Sequence, residues 1–363
     1  MRIGIDARLW NESGVGRYIR NLVAQLQILD KKNEYILFVL GKDYVGIKGN
    51  NWRLVKANIR WHTIEEQLKF PSILYKEKLD LVHFPYFSVP IFYNKPFVVT
   101  IHDLILHHFP TGQASTLPMP FYWAKHLGYK FVISQAAKRA KKIIAVSNAA
   151  KDEIVDHLHV DLNKVVVTYE GVDLPSSKLQ LKTRSYFLYV GNAYPHKNLE
   201  RLIEAFAGIR NQESGIKLIL VGKEDYFYKR LKEKVQKMGL EKKIIFRGEA
   251  TDEELAGLYK NALALVIPSL MEGFGLPILE AMANKCLVLA SDTPAHHEIA
   301  DDAAIYFNPN NTEDIAEKMK ASYNDTHHYS ENIEKGFERS KIFSWEKMAK
   351  ETLKIYESSI GLR

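Results

Sequence analysis

The chain has a single cysteine, Cys286, in 363 residues. It lies in the apolar run Cys286-Leu-Val-Leu-Ala290 and reads as a small buried residue. One cysteine excludes an intrachain disulfide framework and a cysteine-based zinc site. No apolar run approaches the ~18 residues that cross a bilayer, and the opening Met1-Arg-Ile-Gly-Ile-Asp6 lacks the apolar core of a secretory leader. A cytoplasmic location is expected. Short-period repeats and low-complexity tracts are missing as well, which sets aside solenoids and disordered linkers.

What remains has the composition of a soluble globular protein, 46% hydrophobic and 26% charged. The length suits roughly two domains. A net charge of +7 fits an anionic partner: a nucleotide, a nucleic acid or a membrane surface. The bases are scattered and no nucleic-acid-binding motif is present, so nucleic acid is not expected.

Strand and helix patterns alternate along the chain. Strands are predicted at Arg2–Asp6, Tyr35–Leu40, Leu81–Phe84, Phe97–Ile101, Lys142–Val146 and Lys164–Tyr169. A helix follows the first strand from Arg17 to Leu29, with Ile19, Leu22, Val23, Leu26 and Leu29 at helical spacing. After a polar connector, Asp173 to Arg184, the pattern restarts with strands at Tyr186–Gly191, Lys217–Val221, Lys243–Arg247, Leu263–Ile267, Leu287–Ala290 and Ala303–Phe307. Such alternation implies parallel sheets covered by helices on both faces. The expected architecture is α/β, two Rossmann-like doubly wound domains facing across a cleft. Their bounds are 1–175 and 176–343, with a terminal helix in 344–363 packing back on the first domain.

Ligands of such sheets bind at the carboxyl ends of the strands. The apolar run Leu263-Ala-Leu-Val-Ile-Pro268 ends in a loop with Glu272, Gly273, Phe274 and Gly275. Pro277 suits the first position of a helix carrying Glu280. The N–H groups and dipole of that helix face the loop, where glycines admit a phosphate. An ordinary strand-loop-helix with two solvated glutamates is an equal alternative on these residues alone. Gly14 and Gly16 follow the first strand and read either as a phosphate approach or as a plain turn. His102 and Asp103 follow Phe97–Ile101. His107 and His108 come next, and with nothing else to complete a metal site they read as surface or packing residues. Lys197 opens the helix after the Tyr186 strand and is a candidate diphosphate clamp. Gly248 and Glu249 are candidates for contacts to a base. Asp252 looks like an N-cap, with Glu253 and Glu254 in the first turn.

Glu272 and Glu280 form Glu-x7-Glu within Glu-Gly-Phe-Gly-Leu-Pro-Ile-Leu-Glu-Ala-Met-Ala. Upstream is Tyr-Val-Gly-Asn…His-Lys-Asn, and downstream Leu-Ala-Ser-Asp-Thr-Pro. With these pieces the chain strongly resembles the retaining glycosyltransferases of family 4, which have the GT-B fold. Ile101-His-Asp-Leu104, Ala145-Val-Ser-Asn148 and Gly191-Asn…His-Lys-Asn198 bring it nearest to bacterial mannosyltransferases of surface-polysaccharide synthesis. The resemblance implies that Glu272 contacts hydroxyls of the donor sugar and Glu280 the nucleotide ribose. It places backbone N–H groups of Gly273, Phe274, Gly275 and Leu276 on the diphosphate and sugar. Lys197 would neutralise the leaving phosphate, His102 lie beside the reacting carbon, and Gly14 and Gly16 near the diphosphate. One departure stands out: many relatives have Arg where this chain has Asn192. The diphosphate would then rest on Lys197 and the helix dipole, or on another cation such as Arg201 or Arg17.

Sugar transfer develops negative charge on the leaving phosphate. Some enzymes neutralise it with a metal held by Asp-x-Asp, a pattern missing from this chain. Fixed N–H donors, a helix terminus and a lysine can do the same work. A metal-independent enzyme with no cofactor is therefore expected. The closer resemblance implies GDP-mannose as donor, with a UDP-sugar as runner-up, and a saccharide or lipid-linked acceptor. A sugar-nucleotide epimerase is the less favoured alternative. Asp103 and the first domain should serve the acceptor. The stretch Leu117 to Phe131, running into Lys138-Arg-Ala-Lys-Lys142, interleaves aromatics with bases. Its bases suggest peripheral contact with an anionic membrane on the inner face, while its aromatics are expected in the core.

Overall fold

A computed structural model describes residues 1–41, 46–110, 119–174, 186–209, 215–324 and 328–361. The connector from Pro175 to Arg184, and Leu117 and Pro118 of the aromatic-basic stretch, lie outside the described residues. The chain divides into two compact units, Met1–Gly171 with Ser344–Arg363, and Val172–Phe343.

Unit 1 is built on seven parallel strands: β1 Arg2–Asp6, β2 Glu34–Val39, β3 Trp52–Lys56, β4 Leu81–Phe84, β5 Phe97–Ile101, β6 Lys142–Ala145 and β7 Val165–Val167. Their order is β3-β2-β1-β4-β5-β6-β7. Unit 2 has six: β8 Tyr186–Val190, β9 Lys217–Val221, β10 Ile244–Gly248, β11 Ala264–Ile267, β12 Leu287–Ser291 and β13 Ile305–Phe307, in the order β10-β9-β8-β11-β12-β13. Every pairing is parallel, and β5, β11 and β12 are buried along their whole length. That burial is why these strands read as unbroken apolar runs instead of alternating ones. In each sheet the order reverses beside the first strand of the unit, the place where doubly wound sheets open a ligand crevice at their carboxyl ends.

Three local readings are corrected. Strand β3 was not expected. It pairs with β2 at the sheet edge and buries only Trp52, which stacks on Tyr35 at 4.2 Å, so its solvated residues mask the pattern. The helix of the acidic loop, Leu276–Ala283, begins at Leu276, leaving Pro277 at the second position. The helix Asp252–Asn261 is capped by Thr251 and not Asp252. Thr251 Oγ1 accepts from Glu254 N, and the Glu254 carboxylate accepts from Thr251 N, a closed capping box.

The terminal helix Trp345–Ser359 belongs to unit 1 and lies along the helix Gly14–Leu29. It buries Trp345, Met348, Ala349, Thr352, Ile355 and Tyr356. Tyr356 Oη is 2.6 Å from Nδ1 of the buried His83 in β4. Three aromatics of the helix Met119–Arg139 are not in the core: Phe121 is 68% exposed and Phe131 54%, and Trp123, like Leu127, is exposed too, whereas Tyr122 and Tyr129 are half-buried, Tyr129 packing on Phe87 at 4.9 Å. Trp123, Leu127 and Phe131 recur at four-residue steps, so they form one apolar stripe on its outer face.

Candidate active site

In unit 2 three loops converge at the carboxyl end of the sheet. Asn198, after β8, adopts the left-handed conformation (φ 59°). Its Nδ2 donates to Pro268 O at 3.0 Å and to Pro309 O at 2.8 Å. Leu270 N donates to His196 O at 2.8 Å. The segments following β8, β11 and β13 are thereby stitched together, which sets Lys197 beside Glu272. Lys197 Nζ stands 2.7 and 2.8 Å from the two Glu272 oxygens, and Ser269 Oγ donates to Oε1 at 2.7 Å.

Both partners are largely buried, with side chains 15% and 14% exposed. Burial works to raise the Glu272 carboxyl. The Lys197 ammonium, His296 and the hydrogen bonds from Lys197 and Ser269 outweigh it and hold the group at about 2. Glu272 is a carboxylate at any physiological pH. Burial and the Lys197 charge push His196 down to about 4, so its ring is neutral.

The acidic loop reaches its helix through Gly275, whose φ of 100° is a conformation that glycine adopts without strain. Gly275, at the N-cap, offers no side chain to this helix; Pro277 has no N–H, Ile278 N donates to Gly275 O at 2.9 Å, and the N–H of Leu276 stands at the opening of the turn. Phe274 is core, edge-on to Phe343 at 5.9 Å, and can contribute backbone only. Glu280 is buried, and its Oε2 accepts from Tyr259 Oη at 2.7 Å. Gly248 and Glu249 close the edge strand β10, three strands or about 14 Å from β11 at the usual strand spacing. Gly248 turns back with φ 79° while its carbonyl accepts from Gly222 N, and Glu249 is exposed. Arg201 Nη1 is committed to Pro309 O at 2.7 Å, to Asn198 Oδ1 and to Asn310 Oδ1, so its first duty is to hold the loops.

Sequence reading did not single out His296. Its Nδ1 is 2.9 Å from the Ser291 carbonyl, which can only accept, so the proton is on Nδ1. Burial lowers its pKa. The buried Nε2 is therefore a lone-pair acceptor with no hydrogen-bond partner among the described residues. The ring lies against Gly275, at whose position a Cβ would be 3.7 Å from His296 Cδ2. The only signal was topological: His296 follows β12, next to β11.

In unit 1, His102 follows β5. Its Nδ1 is 3.2 Å from Glu170 Oε1 and its Nε2 3.0 Å from Pro85 O. Both partners are acceptors, which favours a doubly protonated ring. Burial alone would lower the pKa, but the hydrogen bond and charge of Glu170 raise it. Tyr18 packs edge-on to the ring at 5.1 Å. With both nitrogens engaged, His102 is fixed in place and is not set up as a general base. Glu170 was not singled out in the sequence, being 68 residues away from its partner. Asp103 Oδ1 accepts from Ile105 N at 3.0 Å and starts the short helix Ile105–His108. A Cβ on Gly16 would fall 2.6 Å from Trp10 O and 2.8 Å from Leu9 O, whereas one on Gly14 meets nothing within 4 Å. Gly16 is thus demanded by its own loop. His107 packs, with Nδ1 2.7 Å from Tyr129 Oη. His108 does not simply lie on the surface: Glu153 and His157 stand with it, contrary to the expectation that no further ligand is near.

Two family models match, "Glycosyltransferase Family 4" over residues 13–175 and "Glycosyl transferases group 1" over residues 174–339. The O-antigen chain mannosyltransferase RfbU of Salmonella typhimurium is 30% identical over 250 residues, spanning 69% of this chain and 66% of the relative. The O-antigen chain mannosyltransferase B of Escherichia coli is 28% identical over 376 residues, 95% of this chain and 96% of that one. The crystal structure of Anabaena HepE in complex with UDP-glucose superposes with a TM-score of 0.76 at 17% identity, covering 99% of this chain and 100% of that chain. At that identity the likeness speaks for the GT-B fold alone.

Proposed function

This chain belongs to the family 4 glycosyltransferases, and from that premise we propose that it transfers mannose from GDP-mannose, with retention and without a metal, to a saccharide or lipid-linked acceptor. The observation carrying the reading is the Lys197–Glu272 pair beside the glycine-led start of the helix Leu276–Ala283. The diphosphate rests on the N–H groups of Gly273 to Leu276. Lys197 turns part of its charge from Glu272 to the departing phosphate. Glu272, ionised throughout, accepts hydrogen bonds from sugar hydroxyls, and His296 Nε2 accepts another. Glu280 meets the ribose, and Gly248 and Glu249 lie toward the base. The bond from the anomeric carbon to the phosphate oxygen breaks, and the acceptor oxygen bonds on the same face. The acceptor's proton goes to the leaving phosphate.

Mannose is favoured because the two relatives above are named mannosyltransferases; a UDP-sugar is the second reading, favoured by the UDP-glucose held by HepE. His102, held by Glu170, keeps a fixed cationic ring for the reacting sugar, and Asp103 serves the acceptor. Among the described residues no helix is long and apolar enough to cross a membrane. The exposed stripe Trp123–Leu127–Phe131, with Lys125 and Lys130 exposed on the same helix, suits peripheral contact with an anionic bilayer carrying a lipid-linked acceptor.

The test is transfer from radiolabelled GDP-mannose and UDP-sugars, with and without excess chelator, followed by the anomeric configuration of the product. Expected are mannosyl transfer, an α-linked product from the α-linked donor and no loss with chelator. Inversion, or activity lost to chelator and restored only by a divalent metal, contradicts the reading. Consumption of donor without acceptor indicates epimerisation instead. Equal binding to anionic and neutral vesicles removes the membrane contact.

A further inference from the structure

Outside the residues used above, unit 1 brings two histidines and a carboxylate together. His108 ends the short helix after β5, and Glu153 and His157 are one turn apart on the helix Asn148–Leu158. His108 Nε2 is 2.5 Å from Glu153 Oε2, and His157 Nε2 is 3.4 Å from the same oxygen. All three donor atoms lie within 4.8 Å of one another. The rings of His108 and His157 meet edge to face at 4.7 Å.

We propose that His108, Glu153 and His157 form a binding site for a zinc-class divalent metal that staples the segment after β5 to the helix Asn148–Leu158. The donor set decides the class. Two imidazoles and one carboxylate with a fourth position open to water suit zinc, whereas magnesium and calcium take oxygen ligands.

Two of the three donor separations can be set against what the metal needs, and the His108–His157 edge lies within 4.8 Å. Bonds of about 2.0–2.1 Å in a tetrahedron separate neighbouring donors by about 3.3 Å. The His157–Glu153 edge has that length already. The His108–Glu153 edge is a direct hydrogen bond and must open by about 0.8 Å for a metal to replace the shared proton. Solvent can reach the site, since the side chains of His108, Glu153 and His157 are 32%, 33% and 43% exposed. Such access supplies both the entry path and the water ligand.

The cross-link is long in sequence, joining positions 45 residues apart. It would fix the far end of the segment that begins at His102, without touching any group assigned to sugar transfer. Its effect is expected on the stability of unit 1.

The test uses full-length protein without an affinity tag, stripped with chelator and re-equilibrated with Zn²⁺, Co²⁺ or Mg²⁺. Expected are one zinc per chain by mass spectrometry of retained metal and a rise in Tm of at least 5 °C with Zn²⁺ but not with Mg²⁺. Co²⁺ should give the intense visible bands of a four-coordinate ion. H108A/H157A should fold, lose the stoichiometric zinc and show no zinc-dependent Tm shift, while H107A keeps both. Equal zinc binding by H108A/H157A and the parent overturns the site. So does retention of no zinc by the parent, which leaves a metal-free His–Glu–His hydrogen-bond cluster. A response to Mg²⁺ equal to that of Zn²⁺ overturns the assigned class.

Discussion

Each unit carries a carboxylate paired with a cationic side chain near the carboxyl ends of its strands, and the two pairs are finished differently. In unit 2, Lys197 and Glu272 meet where three loops are stitched by Asn198, next to a glycine-capped helix and beside His296 Nε2, which has no hydrogen-bond partner among the described residues. In unit 1, His102 has an acceptor on each ring nitrogen, Glu170 and Pro85 O, and a tyrosine edge against its face. The first arrangement leaves His296 Nε2 as an acceptor that a ligand would complete, beside an ion pair that a ligand's charge can share. The second is already complete and holds one charged ring still. Groups left to be satisfied by a ligand belong with binding and charge stabilisation, and a fully satisfied group belongs with positioning.

The sharpest way to break this contrast is Glu272→Ala. It should lower kcat/KM for transfer by three orders of magnitude or so, the scale of removing a charged group from the transition state, with circular dichroism unchanged. A nearly active variant would mean that the site lies elsewhere. Lys197→Ala should cost about 100-fold, mainly in kcat if the lysine meets the leaving phosphate, and steady-state kinetics separates that from a KM effect.

Glu170→Gln should have a smaller effect, about tenfold, the equivalent of losing one charge-assisted hydrogen bond. It also tests the sign of the His102 shift. The raised pKa gives unit 1 a stabilisation that is fully present below about pH 6.5 and lost as pH rises through the raised value. In Glu170→Gln that alkaline loss should disappear, and NMR titration of the His102 ring should show its pKa falling below the parent value. An unchanged titration contradicts the assignment. The smallest effects separate the two glycines of the first loop. Gly16→Ala should destabilise by about 1–3 kcal/mol through its clash with backbone carbonyls, and Gly14→Ala should stay within about 0.5 kcal/mol, both read from urea unfolding.

The doubly wound sheets were legible because parallel strands buried on both faces announce themselves as apolar runs between amphipathic helices. Edge strand β3 was not, since Arg53, Leu54 and Lys56 are exposed and a half-solvated edge loses that signature. That Lys197 and Glu272 lie at the same end of the sheet followed from topology, each residue lying just past the end of a neighbouring strand, but their ion pair is seen only in the structure. His296, Glu170 and Tyr259 escaped notice because their roles depend on partners far away in sequence and on burial, neither of which has a local pattern. The aromatics of the helix Met119–Arg139 misled for the opposite reason. Composition says that a ring prefers the core, and only the fold shows Phe121 and Phe131 left in solvent. His108 misled likewise, its partners Glu153 and His157 being brought in by the helix after β6.

The account turns on where the phosphates of the donor rest. A crystal structure of this protein with GDP-mannose, or with GDP after turnover, measures that directly. The prediction is a diphosphate within hydrogen-bond distance of backbone N–H groups in Gly273 to Leu276 and of Lys197 Nζ, with Glu272 on the sugar. A diphosphate bound anywhere else, with the opening turn of that helix bare, would contradict it.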